Sequence, residues 1–204
     1  MGGGLSLLLG LAIKRAGRPL LPRFQGVILL APAIKAFPPP APVVFLLRHL
    51  VAPFAPTRQI PNFLESVNRP DKAWKTEESR ALVKLDGWGM PGGLGYGQNM
   101  KYGMGIAMLD MVSFLQSNLG NVDFPFLVLH DPDDAIVSFA GTRMLVADAA
   151  TPEGGRKREV VEMNEELHDL LCNAYPTVVA KVLDWIDARL LAADDAAAVA
   201  GGGI

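Results

Sequence analysis

A chain of 204 residues, half of them apolar, is long enough to bury one sizeable core and too apolar for global disorder. The formal net charge of −2 offers no basic field for nucleic acid. A single cysteine, Cys172, excludes an intrachain disulfide framework and a multi-cysteine metal site, and leaves a reducing, cytoplasmic compartment as the default. No apolar run reaches the ~20 residues that span a bilayer. Residues 5–13 have the length of a signal-peptide core, but the basic residues Lys14 and Arg15 follow the run instead of preceding it. The opening MGGGLS also fits the permissive myristoylation pattern Met-Gly-x-x-x-Ser.

Residues 5–16 predict a helix with Leu5, Leu8, Leu9, Ala12 and Ile13 on one face, ended by Arg18, Pro19 and Pro22. GVILLAPA (26–33) is apolar without alternation, as expected of a strand buried on both faces of a parallel sheet. Residues 36–120 differ in character. FPPPAP (37–42) is a rigid turn-in, and VVFLLRHLVAPFAP (43–56) is a short apolar helix stopped by prolines. The polar stretch 61–84 predicts loops and short helices. GWGMPGGLGYGQNMKYGMG (87–105) is a glycine-dense loop studded with Met, Trp and Tyr. From Ile106 to Leu119 the spacing returns to helical.

FPFLVLH (124–130) predicts a second buried strand, SFAGTRMLVADAA (138–150) a helix, and REVVEM (158–163) a third strand. An amphipathic helix is expected from Pro176 to Leu191, followed by a low-complexity, frayed tail. Alternating strands and helices argue a parallel α/β sheet with 36–120 inserted as a cap.

Ligand chemistry in such sheets gathers beyond the carboxyl ends of the strands. HDPDDAIV (130–137) follows the second strand and EMNEELHDLL (162–171) the third. A carboxylate and a histidine on neighbouring strand ends form the acid–base half of a nucleophilic triad. Asp131, Asp133 and Asp134 are the candidate acids and His168 the candidate base. On spacing alone, a solvated acidic turn and an ordinary histidine before a helix remain the stronger alternative.

FPFLVL with HDPDDAIV resembles the α/β-hydrolase strand and turn Pro-x-Leu-x-x-His-Gly-x-x-Asp-x-x-Val, whose final acid falls on Asp134. NEELHDLL resembles the same superfamily's segment around its catalytic histidine, which falls on His168. GVILLAPAIK and NMKYGMGIAMLDM are similar to a strand with its Ala-Pro turn, and to the end of the cap, in the monoacylglycerol lipase and lysophospholipase branch, the serine aminopeptidase S33-like group. The likeness covers nearly all of the chain except the tail. It implies a partial α/β-hydrolase fold: the last three parallel strands, near 26–31, 125–130 and 158–163, with flanking helices and an inserted helical cap. The expected divisions are a post-elbow helix and strand (1–35), the cap (36–120), a core segment carrying the acid and base (121–191) and a disordered tail (192–204).

In that branch the nucleophile elbow reads Gly-His-Ser-Met-Gly-Gly, a strand-to-helix turn so sharp that glycine is required. Met1, Gly2 and Gly3 match its last three residues, with Gly4 following. The resemblance therefore implies a chain that starts just after the nucleophile, with Met1 at the backbone position of the first oxyanion-hole donor. The implied activity is hydrolysis of esters of lipophilic acyl chains, with no metal or cofactor, Asp134 and His168 being catalytic. The chain is expected to be inactive alone. The alternative is a non-catalytic truncated hydrolase that binds lipid or protein. Ser6 lies inside the first helix and is expected to bond locally to backbone, so it makes no substitute nucleophile. Asp131 stands where the pattern has glycine, adding charge beside Asp134. His130 is expected to shape the acid's turn, His49 to be a cap histidine, and Cys172 a small buried hydrophobe. The apolar cap is compatible with peripheral membrane contact, and a bare edge on the strand at 26–31 is open to self-association.

Overall fold

A computed structural model describes residues 2–17, 24–61, 70–86 and 99–201 of the chain. Helix α1 (Gly2–Arg15) leads to strand β1 (Val27–Leu30). Short helices α2 (Ala41–Leu46), α3 (Pro70–Ala73) and α4 (Glu77–Lys84) follow, then the long helix α5 (Tyr102–Asn118). Strand β2 (Phe126–His130), helix α6 (Ala140–Asp148), strand β3 (Arg158–Glu162) and helix α7 (Leu170–Gly201) complete the order. Among the described residues no helix is long and apolar enough to cross a membrane. The prolines expected to end α1, Pro19 and Pro22, lie outside the described residues, as do Met1 and residues 87–98 of the glycine-dense loop.

The three strands are parallel, in the order β1-β2-β3, with Val27 opposite Phe126 and Phe126 opposite Arg158. This is the three-stranded parallel sheet expected, each strand within a residue or so of its expected bounds. β2 is the middle strand and is wholly buried, which explains its unbroken apolar run. Its side chains alternate between two cores. Phe126 and Val128 join Leu7, Leu11, Leu115 and Leu145 on one face, beneath α1, α5 and α6. Leu127 and Leu129 meet Leu170, Val178 and Trp185 of α7 on the other. Three layers result, helices on both faces of a sheet.

The face of α1 that packs is not the one the leucine spacing predicts. Leu7 and Leu11 are buried beside Gly4 and Gly10, whereas Leu5 and Leu9 are exposed. The glycines mark the packed face. A Cβ on Gly3 would sit 3.0 Å from Pro32, and one on Gly4 3.0 Å from Met111. In residues 2–4, then, missing side chains matter for close approach to the turn after β1 and to α5, and a count of apolar residues passes over them.

The expected apolar helix of residues 43–56 is α2 plus a π-helical turn, Leu47–Val51. Phe45, Leu50 and Phe54 are exposed there. Met111, Val112 and Leu115 of α5 pack into the core against α1. α7 reaches Gly201, beyond the end of its apolar periodicity, with a non-helical residue, Ala174, just before Pro176.

Candidate active site

β2 ends at His130, and the turn after it carries Asp131 and Asp134, both buried. Asp134 receives its environment from three directions. Its Oδ1 accepts the backbone N–H of Ile136 at 2.7 Å and of Val137 at 3.0 Å. Its Oδ2 lies 2.7 Å from His168 Nδ1 and 3.3 Å from His130 Nε2. Burial works against ionisation and is the largest single influence. The hydrogen bonds of His130, His168 and Val137 outweigh it and hold the carboxyl well below the usual carboxylate range.

The sign of the pH dependence follows. An acid whose folded pKa is depressed adds stability above its unfolded value of about 4 and loses it as pH falls through the folded one. Urea unfolding of the wild type and of Asp134→Asn is expected to give a stability difference that shrinks steadily below about pH 4. A difference that stays constant, or grows, as pH falls would contradict it.

His168 stands in the loop between β3 and α7, its side chain one-quarter exposed. A carboxylate only accepts, so Nδ1 carries the proton and Nε2 is left free to act as base. The structure thus brings together the two side chains that the sequence pairs across 34 positions. His130 is fully buried with its Nε2 between two acceptors, Asp134 and the Val137 carbonyl, so Nε2 is the donor. The Thr142 hydroxyl lies 2.7 Å from Nδ1. His130 therefore braces the acid from below, as its place at the strand end leads one to expect.

Asp131 does not crowd Asp134. Its Oδ1 accepts the Asp133 N–H at 2.8 Å, and its Oδ2 turns toward the backbone of the His168 loop. Asp133 is exposed. Ser6 donates to the Gly2 carbonyl at 3.1 Å, the local bond expected of it. His49 is exposed, its ring against Phe45. Cys172 corrects an expectation, because it is exposed and not a buried hydrophobe. It sits one turn past His168 on the outer side of α7. Partial burial of its thiol and the neighbouring Asp169 raise its pKa, the wrong direction for a nucleophile. The Met1 backbone position lies outside the described residues.

Sequence reasoning passes over α3. Trp74 donates its indole N–H to Asp169 at 2.8 Å, and the Ala73 carbonyl accepts both the Asp169 N–H and the Asn173 side chain. The Lys75 N–H donates to Asn173 Oδ1. These bonds tie residues 73–75 to the start of α7 and close one wall of a cavity of about 380 Å³ beside His168. Leu30, Ile136 and Leu170 form its apolar lining. Contacts spanning some 95 positions leave no local signal, and only the lone indole in a polar stretch hints at them.

A parallel sheet between helical layers, with an acid after one strand bonded to a histidine after the next, defines an α/β-hydrolase core. The serine aminopeptidase S33 family matches residues 1–173, and the chain belongs to that family. No curated protein matches it. Its fold is similar to that of the monoacylglycerol lipase of Paleococcus ferrophilus, with a TM-score of 0.69 at 17% identity over 92% of this chain and 65% of that one. It is also similar to a soluble variant of monoglyceride lipase from Saccharomyces cerevisiae, solved with a substrate analogue, with a TM-score of 0.68 at 17% identity over 92% of this chain and 59% of the lipase. The chain thus spans less than two thirds of the length of either lipase.

Proposed function

We propose that this chain supplies the acid and the base of a serine hydrolase that cleaves carboxylic esters of lipophilic acyl chains, of the monoacylglycerol or lysophospholipid type. The 2.7 Å bond between His168 Nδ1 and Asp134, at the strand ends beside a cavity lined in part by Leu30, Ile136 and Leu170, carries the reading. The likeness in fold to two monoacylglycerol-type lipases supports the substrate class.

In this reaction a serine of the family's elbow attacks the ester carbonyl. His168 Nε2 takes the serine proton and passes it to the departing alcohol, and a water then releases the acyl group by the same route. Asp134 holds the tautomer and stabilises the imidazolium. The sequence resemblance puts the serine on the residue before Met1 and the first oxyanion donor on the Met1 amide.

The test begins with the codons in frame before Met1 in the native transcript, expected to spell Gly-x-Ser after a strand. The protein translated from them should hydrolyse short and medium acyl esters, and His168→Ala should lower its kcat by about 10³-fold or more. The 204-residue chain assayed alone should release no product above the blank. Turnover by that chain which depends on His168 would place the nucleophile inside it and overturn this arrangement. A stop codon before Met1 would favour a non-catalytic chain that binds lipid or protein.

A further inference from the structure

We propose that Asp131 is a positioning residue for His168, its buried carboxylate fixing the loop that aims the imidazole at Asp134. The inference rests on the reading of Asp134 and His168 as the acid–base pair. Asp131 is fully buried, and a carboxylate is costly to bury unless its oxygens are satisfied. Here backbone donors satisfy them. Oδ1 takes the Asp133 N–H, and Oδ2 takes the N–H groups of Glu166 at 2.6 Å and Leu167 at 2.7 Å, the two residues before His168. Such charge-assisted bonds are short and strong.

The loop needs an external hold. Glu165 at φ 60° and Leu167 at φ 59° both adopt the left-handed conformation that side chains disfavour. Strained backbone of this kind persists only where its surroundings over-determine it. Two aspartates of one turn divide the task. Asp131 holds the main chain on the approach to His168, while Asp134 holds the ring itself. The Asp134 N–H in turn donates to the Asp131 carbonyl at 3.1 Å, so the acid and the loop carrying the base share one reference point. A glycine at position 131 would leave the N–H groups of Glu166 and Leu167 without these acceptors.

The experiment is nitrogen-15 and proton NMR of the histidine rings in the full chain. The wild type should give a low-field His168 Nδ1 proton that exchanges slowly with water. Asp131→Ala should lose that resonance, or exchange it at least about tenfold faster, with the His130 ring signals unmoved as the check on folding. Asp131→Asn keeps one side-chain oxygen for the Glu166 and Leu167 amides and should restore the resonance in part. A folded Asp131→Ala with the proton present and exchanging within about twofold of wild type overturns the proposal. Should Asp131→Ala fail to fold, the wild-type amides decide. Glu166 and Leu167 N–H protected together with the His168 ring proton support the proposal, and free exchange of those amides beside a protected ring proton overturns it. The readout is the ring hydrogen bond and not turnover, so failure of the proposed ester hydrolysis leaves this test intact.

Discussion

Asp134→Asn is expected to lower kcat by about 10³- to 10⁴-fold in the protein that carries the elbow serine, while leaving the fold in place. The reason lies in which oxygen is committed. Oδ1 accepts two backbone N–H groups, from Ile136 and Val137. The asparagine carbonyl must therefore take that side, which turns its NH₂ toward His168 and His130. Facing a donor, His168 Nδ1 becomes an acceptor and the ring proton moves to Nε2, where it blocks uptake of the nucleophile's proton. The same NH₂ opposes the Nε2–H of His130, now donor against donor, at a stability cost of about 1–3 kcal/mol. Steady-state kinetics on a soluble acyl ester, with nitrogen-15 spectra of His168 to read the tautomer, check both halves. A loss below tenfold, or a ring that keeps its proton on Nδ1, would remove Asp134 from the orienting role.

Gly26→Ala is expected to destabilise the fold by about 2–5 kcal/mol, the sum of backbone strain and a clash that cannot relax. Gly26 has φ +140°, and a Cβ there would fall 2.5 Å from the Pro125 carbonyl oxygen and 2.8 Å from the Trp185 ring. That carbonyl accepts the Val27 N–H at 2.9 Å, the bond that leads into the pairing of β1 with β2. It cannot withdraw without loosening the register that presents the strand ends. Gly17 supplies the contrast. It is left-handed after α1, at φ +66°, with open space around its Cβ, so Gly17→Ala should cost only about 1 kcal/mol. Urea denaturation of the two variants in parallel checks the difference, and equal midpoints would count against the steric account.

Asp134 and His168 were legible as a candidate pair because their segments resemble those around the acid and the base of α/β-hydrolases. An apolar run ending in His130 and followed by an acidic turn reads as a strand and its ligand-facing end, and the segment through His168 reads likewise. The packing face of α1 was not legible. Periodicity counts leucines, and the residues that decided the face were Gly4 and Gly10, which contribute nothing to such a count. Cys172 was misread for a related reason. A residue in the first turn of a helix can point to either side, and only the seat of α7 on the sheet settles which.

By itself the sequence determined the three strands and their parallel sense, because unbroken apolar runs and turn chemistry act within a few residues of themselves, while the pairing of Asp134 with His168 was implied by the resemblance of their segments to a known pattern. The tertiary structure alone decided what surrounds that pair. The burial of Asp131 under residues 166 and 167, the seat of His130 between Asp134 and Thr142, and the tie from Trp74 to Asp169 join separate stretches of chain. A buried carboxylate takes whichever N–H groups the folded backbone brings within hydrogen-bond reach, and those positions exist only once the sheet and its helices have packed.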